Sequence, residues 1–211
     1  MRKKCAIYVG VGILAIALVG AMGFSGPAAA DEADYENLAG KRVAVLVGEG
    51  LHDMETLAPM AYLHNRGAEV VVVGVEAGAA HQAYNSAITV VIQQSVADVA
   101  AAEFDALVIP GGQSPAWLRE HDAVLDFARA MVEQDKVVAG ICHGPQVLAT
   151  AGVLEGVTAT CVSGVADEIT EAGGEYVDEQ VVRDGNIITS RIPDDIPAFN
   201  RAIEQALAEQ I

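Results

Sequence analysis

Short apolar runs alternate with longer stretches of helical periodicity from Arg42 to the C-terminus. The apolar runs are rich in valine and isoleucine, which favours buried strands. Strands are predicted at residues 42–47, 70–75, 105–110 and 137–141, and helices at 53–66, 122–134, 143–150 and near the C-terminus. This alternation predicts an α/β fold with a mainly parallel sheet that is covered by helices on both faces.

Two predicted helices carry an apolar stripe that indicates which side packs on the sheet. The stripes are Val124, Leu125, Ala128, Met131 and Val132 in one helix, and Ile196, Phe199, Ile203 and Leu207 in the C-terminal helix. Two regions depart from the alternation. Residues 82–94 are predicted to form an edge hairpin or excursion, and Asp184–Gly185 is predicted as the turn of a β-hairpin between residues 180–183 and 186–190.

The N-terminal segment differs from the rest of the chain. Three basic residues, Arg2 to Lys4, precede an apolar run from Cys5 to Phe24, and Ala28–Ala30 supplies the small residues of a cleavage site. We therefore expect residues 1–30 to be a signal peptide, with an uncleaved membrane anchor as the alternative because the run approaches the roughly 20 residues that span a bilayer.

This assignment predicts three parts: the export segment 1–30, a polar linker at 31–40, and one domain at 41–211. The protein is then exported, which places it in the periplasm, outside the cell, or anchored on the outer side of the cytoplasmic membrane. Contact with the membrane is expected only through residues 1–30, and only if they are not removed.

The chain is acidic, with 29 acidic and 12 basic residues and a formal net charge of −17. Such a surface repels nucleic acid and anionic lipid, so we expect no nucleic-acid partner. Only Cys142 and Cys161 remain after export, which excludes a disulfide-rich scaffold. A single bridge between these two cysteines stays open as an alternative.

The candidate nucleophile is Cys142, in the segment Gly140-Ile141-Cys142-His143-Gly144-Pro145. This spacing is that of a nucleophile elbow, in which a sharp turn from strand to helix exposes the reactive side chain. We expect the following helix to lower the pKa of the Cys142 thiol, whereas Cys161 should lie in a later apolar strand. The alternative is that Cys142 is a buried structural cysteine.

Two further features lie at the predicted carboxyl ends of neighbouring strands, where active sites of parallel sheets are found. Gly111 and Gly112 present backbone N–H groups without side-chain cover, and such groups can stabilise an oxyanion. Glu55 follows the first strand and is a candidate catalytic carboxylate. Its alternative is a surface residue in the first turn of a helix.

The histidines exclude several enzyme classes. They are His52, His64, His81, His121 and His143. None follows the elbow helix, although glutamine amidotransferases and α/β-hydrolases need a late histidine. Their spacing matches no familiar metal site, and the Gly-x-Gly pairs are weak dinucleotide signals. We therefore expect neither a metal nor another cofactor.

Four motifs together resemble the PfpI branch of the PfpI and DJ-one superfamily. They are residues 140–146, Pro110–Gly112, Asp53–Glu55 and Thr189–Asp195. The resemblance implies a flavodoxin-like three-layer sandwich of the class I glutamine amidotransferase type, and a homo-oligomer. It also implies that Cys142 is the nucleophile beside His143, that the amides of Gly112 and His143 form the oxyanion site, and that Glu55 hydrogen-bonds the cysteine.

One position departs from the family's peptidase pattern. There, a glutamate after Gly-Gly-x-x-Pro reaches the histidine of an adjacent subunit, but this chain has Ala116 at that position. Glu120 lies one helical turn further on, a displacement of about 6 Å. We therefore expect a cysteine-dependent enzyme that acts on small reactive carbonyls or on acyl or peptide bonds. The alternative is a stress-protective or chaperone-like protein in which Cys142 is oxidised.

Overall fold

Strands and helices alternate along residues 35–210, the part of the chain that the computed structural model describes. The strands are β1 (Arg42–Leu46), β2 (Glu69–Gly74), β3 (Ala80–Gln82), β4 (Thr89–Val91), β5 (Gln94–Ser95), β6 (Ala106–Ile109), β7 (Val137–Ile141), β8 (Thr158–Ala159), β9 (Glu175–Tyr176), β10 (Val181–Asp184) and β11 (Ile187–Ser190). The helices are α1 (Asp53–Asn65), α2 (Ser114–Leu118), α3 (Asp122–Glu133), α4 (Pro145–Ala151), α5 (Ala166–Glu171) and α6 (Ile196–Glu209). None of these helices is long and apolar enough to cross a membrane.

Seven strands form the central sheet in the order β10-β11-β7-β6-β1-β2-β5. Neighbouring strands are parallel except β10 and β11, which pair antiparallel through the predicted turn at Asp184–Gly185. Gly185 has a positive φ of 60°, which suits a tight hairpin turn. The predicted α/β sandwich with a mainly parallel sheet is confirmed.

Alternate residues of each central strand enter two separate apolar cores. In β1, Val43 and Val45 pack on the side of α1 and α6, whereas Ala44 and Leu46 pack on the side of α3 and α4. Both faces are covered, which explains why the strands read as continuous apolar runs rather than as an alternating pattern.

The predicted helix stripes are confirmed, with one adjustment. The four stripe residues of α6 are buried. In α3, Val124, Ala128 and Met131 are buried together with Phe127, whereas Leu125 and Val132 are only partly buried. At 100° per residue, position 127 lies nearer the centre of the buried face than positions 125 and 132 do.

Residues 80–91 form a separate antiparallel hairpin of β3 and β4, close to the predicted excursion.

The prediction that Cys161 lies in a strand is wrong, because β8 ends at Ala159 and Cys161 lies buried just beyond it. There the backbone turns to the elbow, and the N–H of Val162 donates to the carbonyl of Cys142 at 3.1 Å.

The predicted linker also needs correction over residues 35–40, which pack on the domain. Leu38 is buried, and its N–H donates to the carbonyl of Arg66 at 2.8 Å. The N–H of Glu36 donates to the carboxylate of Glu204 at 2.7 Å. The predicted export segment and residues 31–34 lie outside the described residues.

The strand order places a topological switch point between β1 and β6. From β1 the chain continues to β2 on one side, and from β6 it continues to β7 on the other. Ligand sites in open α/β sheets lie at such switch points, at the carboxyl ends of the strands. Glu55, Gly111 and Cys142 follow β1, β6 and β7, and these three strands are adjacent in the sheet.

Candidate active site

Cys142 stands on a strained turn between β7 and α4. Its φ is +60°, and Asp135 is the only other non-glycine residue with positive φ in the described range. A left-handed conformation costs a residue with a side chain about 1–3 kcal/mol. The turn is fixed from both sides, because the N–H of Cys142 donates to Ser190 at 3.0 Å and its carbonyl accepts from Val162. This backbone agrees with the predicted nucleophile elbow.

The elbow leaves no room for a side chain at Gly144. A Cβ atom there would lie 2.2 Å from the carbonyl oxygen of Ile109. Glycine is less strictly required at position 140, where a Cβ would lie 3.2 Å from the nitrogen of Pro145. Gly144 is therefore the residue that lets the turn pack against the end of β6.

Glu55 reaches this elbow from the first turn of α1. Its side chain is fully buried, accepts the Gly111 N–H at 2.9 Å, and acts on the Cys142 side chain, whose thiol pKa it raises. The alternative of a surface glutamate is therefore wrong. Gly111 makes the approach possible, since a Cβ there would lie 2.6 Å from the Glu55 carboxylate and 2.7 Å from the Cys142 Cβ.

The two glycines after β6 have different roles. The N–H of Gly111 is taken by Glu55, so the prediction that it serves an oxyanion is corrected. The N–H groups of Gly112 and His143 instead act on the sulfur of Cys142, where they lower the pKa of the thiol. The His143 ring also contacts the sulfur, with Nδ1 3.3 Å from Sγ. These are the groups that can stabilise negative charge at or next to the sulfur.

Burial dominates the protonation of the pair. It raises the pKa of the Glu55 carboxyl to about 7, although the Cys142 side chain and the hydrogen bond from the Gly111 N–H act in the opposite direction. Burial and the negative charge of Glu55 raise the pKa of the Cys142 thiol to about 12, although the N–H groups of Gly112 and His143 lower it. The predicted lowering of the thiol pKa is therefore wrong, because burial and Glu55 outweigh the backbone amides.

Burial also lowers the pKa of His143, and the carboxylate of Glu168 in α5 opposes that effect. No motif in the sequence singles out Glu168. Glu120, the predicted substitute for the carboxylate missing at Ala116, is exposed and lies beyond the end of α2. Glu168 is thus the acidic residue whose charge acts on His143 within this chain.

A cavity of about 380 Å³ lies beside the elbow. It is lined by Tyr84, Gly112, Gln113, Ala116, His143, Gln146 and Val165. Sequence reasoning missed Tyr84, because it lies between β3 and β4 in the least regular part of the pattern.

The alternative of a bridge between Cys142 and Cys161 is not seen, because both are free thiols and their side chains belong to different apolar cores.

Comparison with known proteins finds relatives over most of the described domain. The chain is 40% identical over 162 residues to "Protein/nucleic acid deglycase 2" of Escherichia coli strain K12, covering 76% of this chain and 94% of the relative. It is 42% identical over 161 residues to "Putative cysteine protease YraA" of Bacillus subtilis, covering 76% and 95%. The crystal structure of Drosophila melanogaster DJ-1beta matches with a TM-score of 0.74 and 31% identity, covering 81% of this chain and 91% of that one.

The name of the E. coli relative conflicts with the expectation, drawn from net charge, that nucleic acid is no partner. Net charge describes the whole surface, whereas an enzyme meets its substrate at one site, so that expectation is not retained. The model described as "DJ-1/PfpI family" matches residues 41–206, which include Glu55, both glycines and the whole elbow. The chain therefore belongs to the DJ-1/PfpI family.

Proposed function

We propose that this protein is a cysteine-dependent enzyme whose Cys142 attacks small reactive carbonyl compounds, with acyl or peptide bonds as the second substrate class. The observation that carries this proposal is the arrangement around the sulfur. A strained elbow presents Cys142 to Glu55, to the His143 ring and to the N–H groups of Gly112 and His143. These are the parts that nucleophilic catalysis by a thiol needs.

The chemistry follows from these contacts. In the tautomer that leaves Nδ1 unprotonated, His143 takes the proton of the Cys142 thiol. The sulfur attacks the carbonyl carbon, a C–S bond forms, and the carbonyl π electrons move to the oxygen. The N–H groups of Gly112 and His143 stabilise that oxyanion, and the His143 imidazolium returns the proton to it. This addition forms a hemithioacetal, an intermediate that is still bonded to Cys142.

Two observations favour small carbonyl compounds over peptides. The cavity of about 380 Å³ is near the lower end of the range for small-molecule sites. Ala116, in the cavity wall, supplies no carboxylate where the family's peptidases carry a glutamate. The relatives' names include both a deglycase and a cysteine protease, which supports both substrate classes.

The test is to incubate the protein with methylglyoxal and, separately, with fluorogenic peptides. We expect methylglyoxal to be consumed by wild type and by Cys161→Ser, and not by Cys142→Ser. Cys161→Ser is the matched control because it changes the other buried thiol. Turnover that survives in Cys142→Ser contradicts the proposal, and efficient peptide cleavage by wild type reverses the order of the two substrate classes.

A purely redox role for Cys142 has less support from the site. Oxidation and carbonyl attack both proceed through the thiolate, but the cavity beside Cys142 gives a small carbonyl substrate a place to bind. Mass spectrometry after brief peroxide treatment tests the redox role, because the thiol of a redox sensor should be oxidised rapidly under these conditions. Rapid oxidation of Cys142 in a protein that consumes no methylglyoxal would favour the stress-protective alternative.

We also propose that the protein is exported through residues 1–30, on the basis of their basic start, apolar run and terminal alanines. The test is intact-mass measurement of the protein isolated from its native cells. A mature chain that begins at Asp31 indicates cleavage, and a full-length chain in the membrane fraction indicates the anchor. A full-length chain in the cytoplasmic fraction contradicts export.

A further inference from the structure

Glu168 is tied to the catalytic elbow by a short series of hydrogen bonds. The N–H of Gln146 donates to the carbonyl of His143 at 3.0 Å, and the Gln146 side-chain amide donates to Glu168 at 2.6 Å. Gln146 and His143 both line the cavity beside Cys142. Glu168 therefore contacts one residue of the cavity wall, Gln146, directly.

Both oxygens of the Glu168 carboxylate are held. One accepts from Gln146, and the other accepts from the guanidinium of Arg119, which follows α2. The segment that leads to α5 is tied to the elbow as well, because the N–H of Val162 donates to the carbonyl of Cys142. A carboxylate fixed in this way keeps its charge in one place while the reaction proceeds.

The rest of the environment of His143 explains why such a charge matters. Two further acidic groups belong to this environment: Cys142, whose Sγ is 3.3 Å from the His143 Nδ1, and Glu55, which acts on Cys142. Tyr84 lines the same cavity as His143. Arg119 is the cation next to Glu168, and it offsets part of the carboxylate's charge.

We propose that Glu168 is a positioning residue for His143, supplying within one chain the negative charge that stabilises the imidazolium formed when His143 takes the thiol proton of Cys142. This inference rests on the proposed function. It assigns to α5 the effect that the family's peptidases obtain from a glutamate at the position of Ala116. Arg119 sets the strength of the effect, because it competes for the same carboxylate.

The pair Arg119 and Glu168 allows a test with two opposite signs. The titration midpoint of His143 is measured by NMR on histidine-labelled protein, with its signal assigned by its loss in His143→Gln. Glu168→Gln should shift the midpoint to lower pH, because the imidazolium loses its carboxylate. Arg119→Gln should shift it to higher pH, because the carboxylate is no longer offset by a cation.

Glu171→Gln is the matched control, since Glu171 is an exposed glutamate in the same helix and should leave the midpoint unchanged. A folded Glu168→Gln protein with the wild-type midpoint overturns the inference. If Glu168→Gln does not fold, the test depends on Arg119→Gln alone. A His143 titration midpoint that does not rise in Arg119→Gln then overturns the inference. These shifts of the His143 midpoint do not depend on turnover. The absence of methylglyoxal consumption would therefore contradict the proposed function, whereas the NMR result alone tests the effect of Glu168 on His143.

Discussion

Glu55 and Cys142 titrate as a unit. With the pKa of Glu55 at about 7 and that of Cys142 at about 12, the two groups together hold a single proton between these values. In that range the resting protein holds the proton on sulfur or on the Glu55 carboxylate, and of these two arrangements only the second leaves a thiolate before any transfer to His143. The proportion of thiolate is then set by the balance between the two sites and not by the solution pH.

This coupling predicts a distinctive pH profile for alkylation of Cys142. In wild type, the rate of reaction with iodoacetamide should rise up to about pH 7 and then level off. In Glu55→Gln it should continue to rise about tenfold per pH unit, since no carboxylate competes for the proton and none repels the thiolate. The two proteins should differ little below pH 7.

Rates measured by mass spectrometry of the Cys142 peptide between pH 5.5 and pH 9 would show this. Glu120→Gln, which changes an exposed glutamate, should follow the wild-type profile. Slower alkylation of Glu55→Gln at every pH would mean that Glu55 acts mainly as a proton donor to the thiolate, contrary to this prediction.

The buried carboxyl also predicts how stability depends on pH. Between the ordinary value of 4.5 and about 7, Glu55 is protonated in the folded state and ionised in the unfolded state. The unfolded state then binds fewer protons, so the contribution of Glu55 to stability falls as the pH rises through this window. The loss is on the order of 1.4 kcal/mol per pKa unit.

Urea denaturation of wild type and Glu55→Gln at pH 4.5, 6 and 7.5 tests this. The free energy of unfolding of wild type should decline relative to the variant as pH rises, because glutamine cannot ionise. A constant difference between the two proteins across this range would show that Glu55 does not change its protonation on unfolding.

At the scale of elements, the elbow depends on close contact between the ends of β6 and β7. Gly144→Ala should destabilise the protein by about 2–3 kcal/mol and slow alkylation of Cys142, because the added Cβ would lie 2.2 Å from the carbonyl of Ile109. Gly164→Ala is the control, since a Cβ at Gly164 meets no atom within 4 Å. Equal unfolding midpoints for the two variants in thermal denaturation would contradict the prediction.

The same elements show what sequence can and cannot predict. The bounds of β7 were predicted at Val137–Ile141 and are found there, because both faces of this strand are buried and its apolar run is uninterrupted. The elbow was likewise predicted from the spacing of glycines around Cys142. These features depend on local pattern.

The features that were missed depend on contacts between distant parts of the chain. The role of Gly111 as a donor to Glu55 requires knowing that β1 and β6 are neighbours. Glu168 is 26 positions beyond Cys142 in the sequence. Its contact with Gln146 beside the elbow can be predicted only when the position of α5 in the fold is known. The predicted direction of the pKa shift at Cys142 is wrong for the same reason, since the burial of the thiol and the charge of Glu55 beside it are tertiary properties.

At the scale of the whole molecule, Glu204 joins three parts of the chain. This buried carboxylate of α6 accepts hydrogen bonds from Arg66 at 3.1 Å, from the Tyr62 hydroxyl of α1, and from the N–H of Glu36. It therefore links the residues before β1 to both helices on one face of the sheet. Its burial is compatible with stability because all of these donors converge on it.

Glu204→Ala should lower the free energy of unfolding by about 3 kcal/mol, because it leaves buried or partly buried donors without an acceptor. Glu133→Ala, at the exposed end of α3, is the control and should leave the urea midpoint unchanged. A wild-type midpoint for Glu204→Ala would show that water replaces the carboxylate in these contacts.

The positive φ of Cys142 implies a conflict between durability and activity. Glycine suits this backbone better than cysteine does, so a selection for heat resistance alone would favour Cys142→Gly and would thereby remove the nucleophile. Cys142→Ala, which keeps the side-chain strain, should not share that advantage. The residue that gives this site its chemistry occupies a position where the fold by itself would prefer to have no side chain at all.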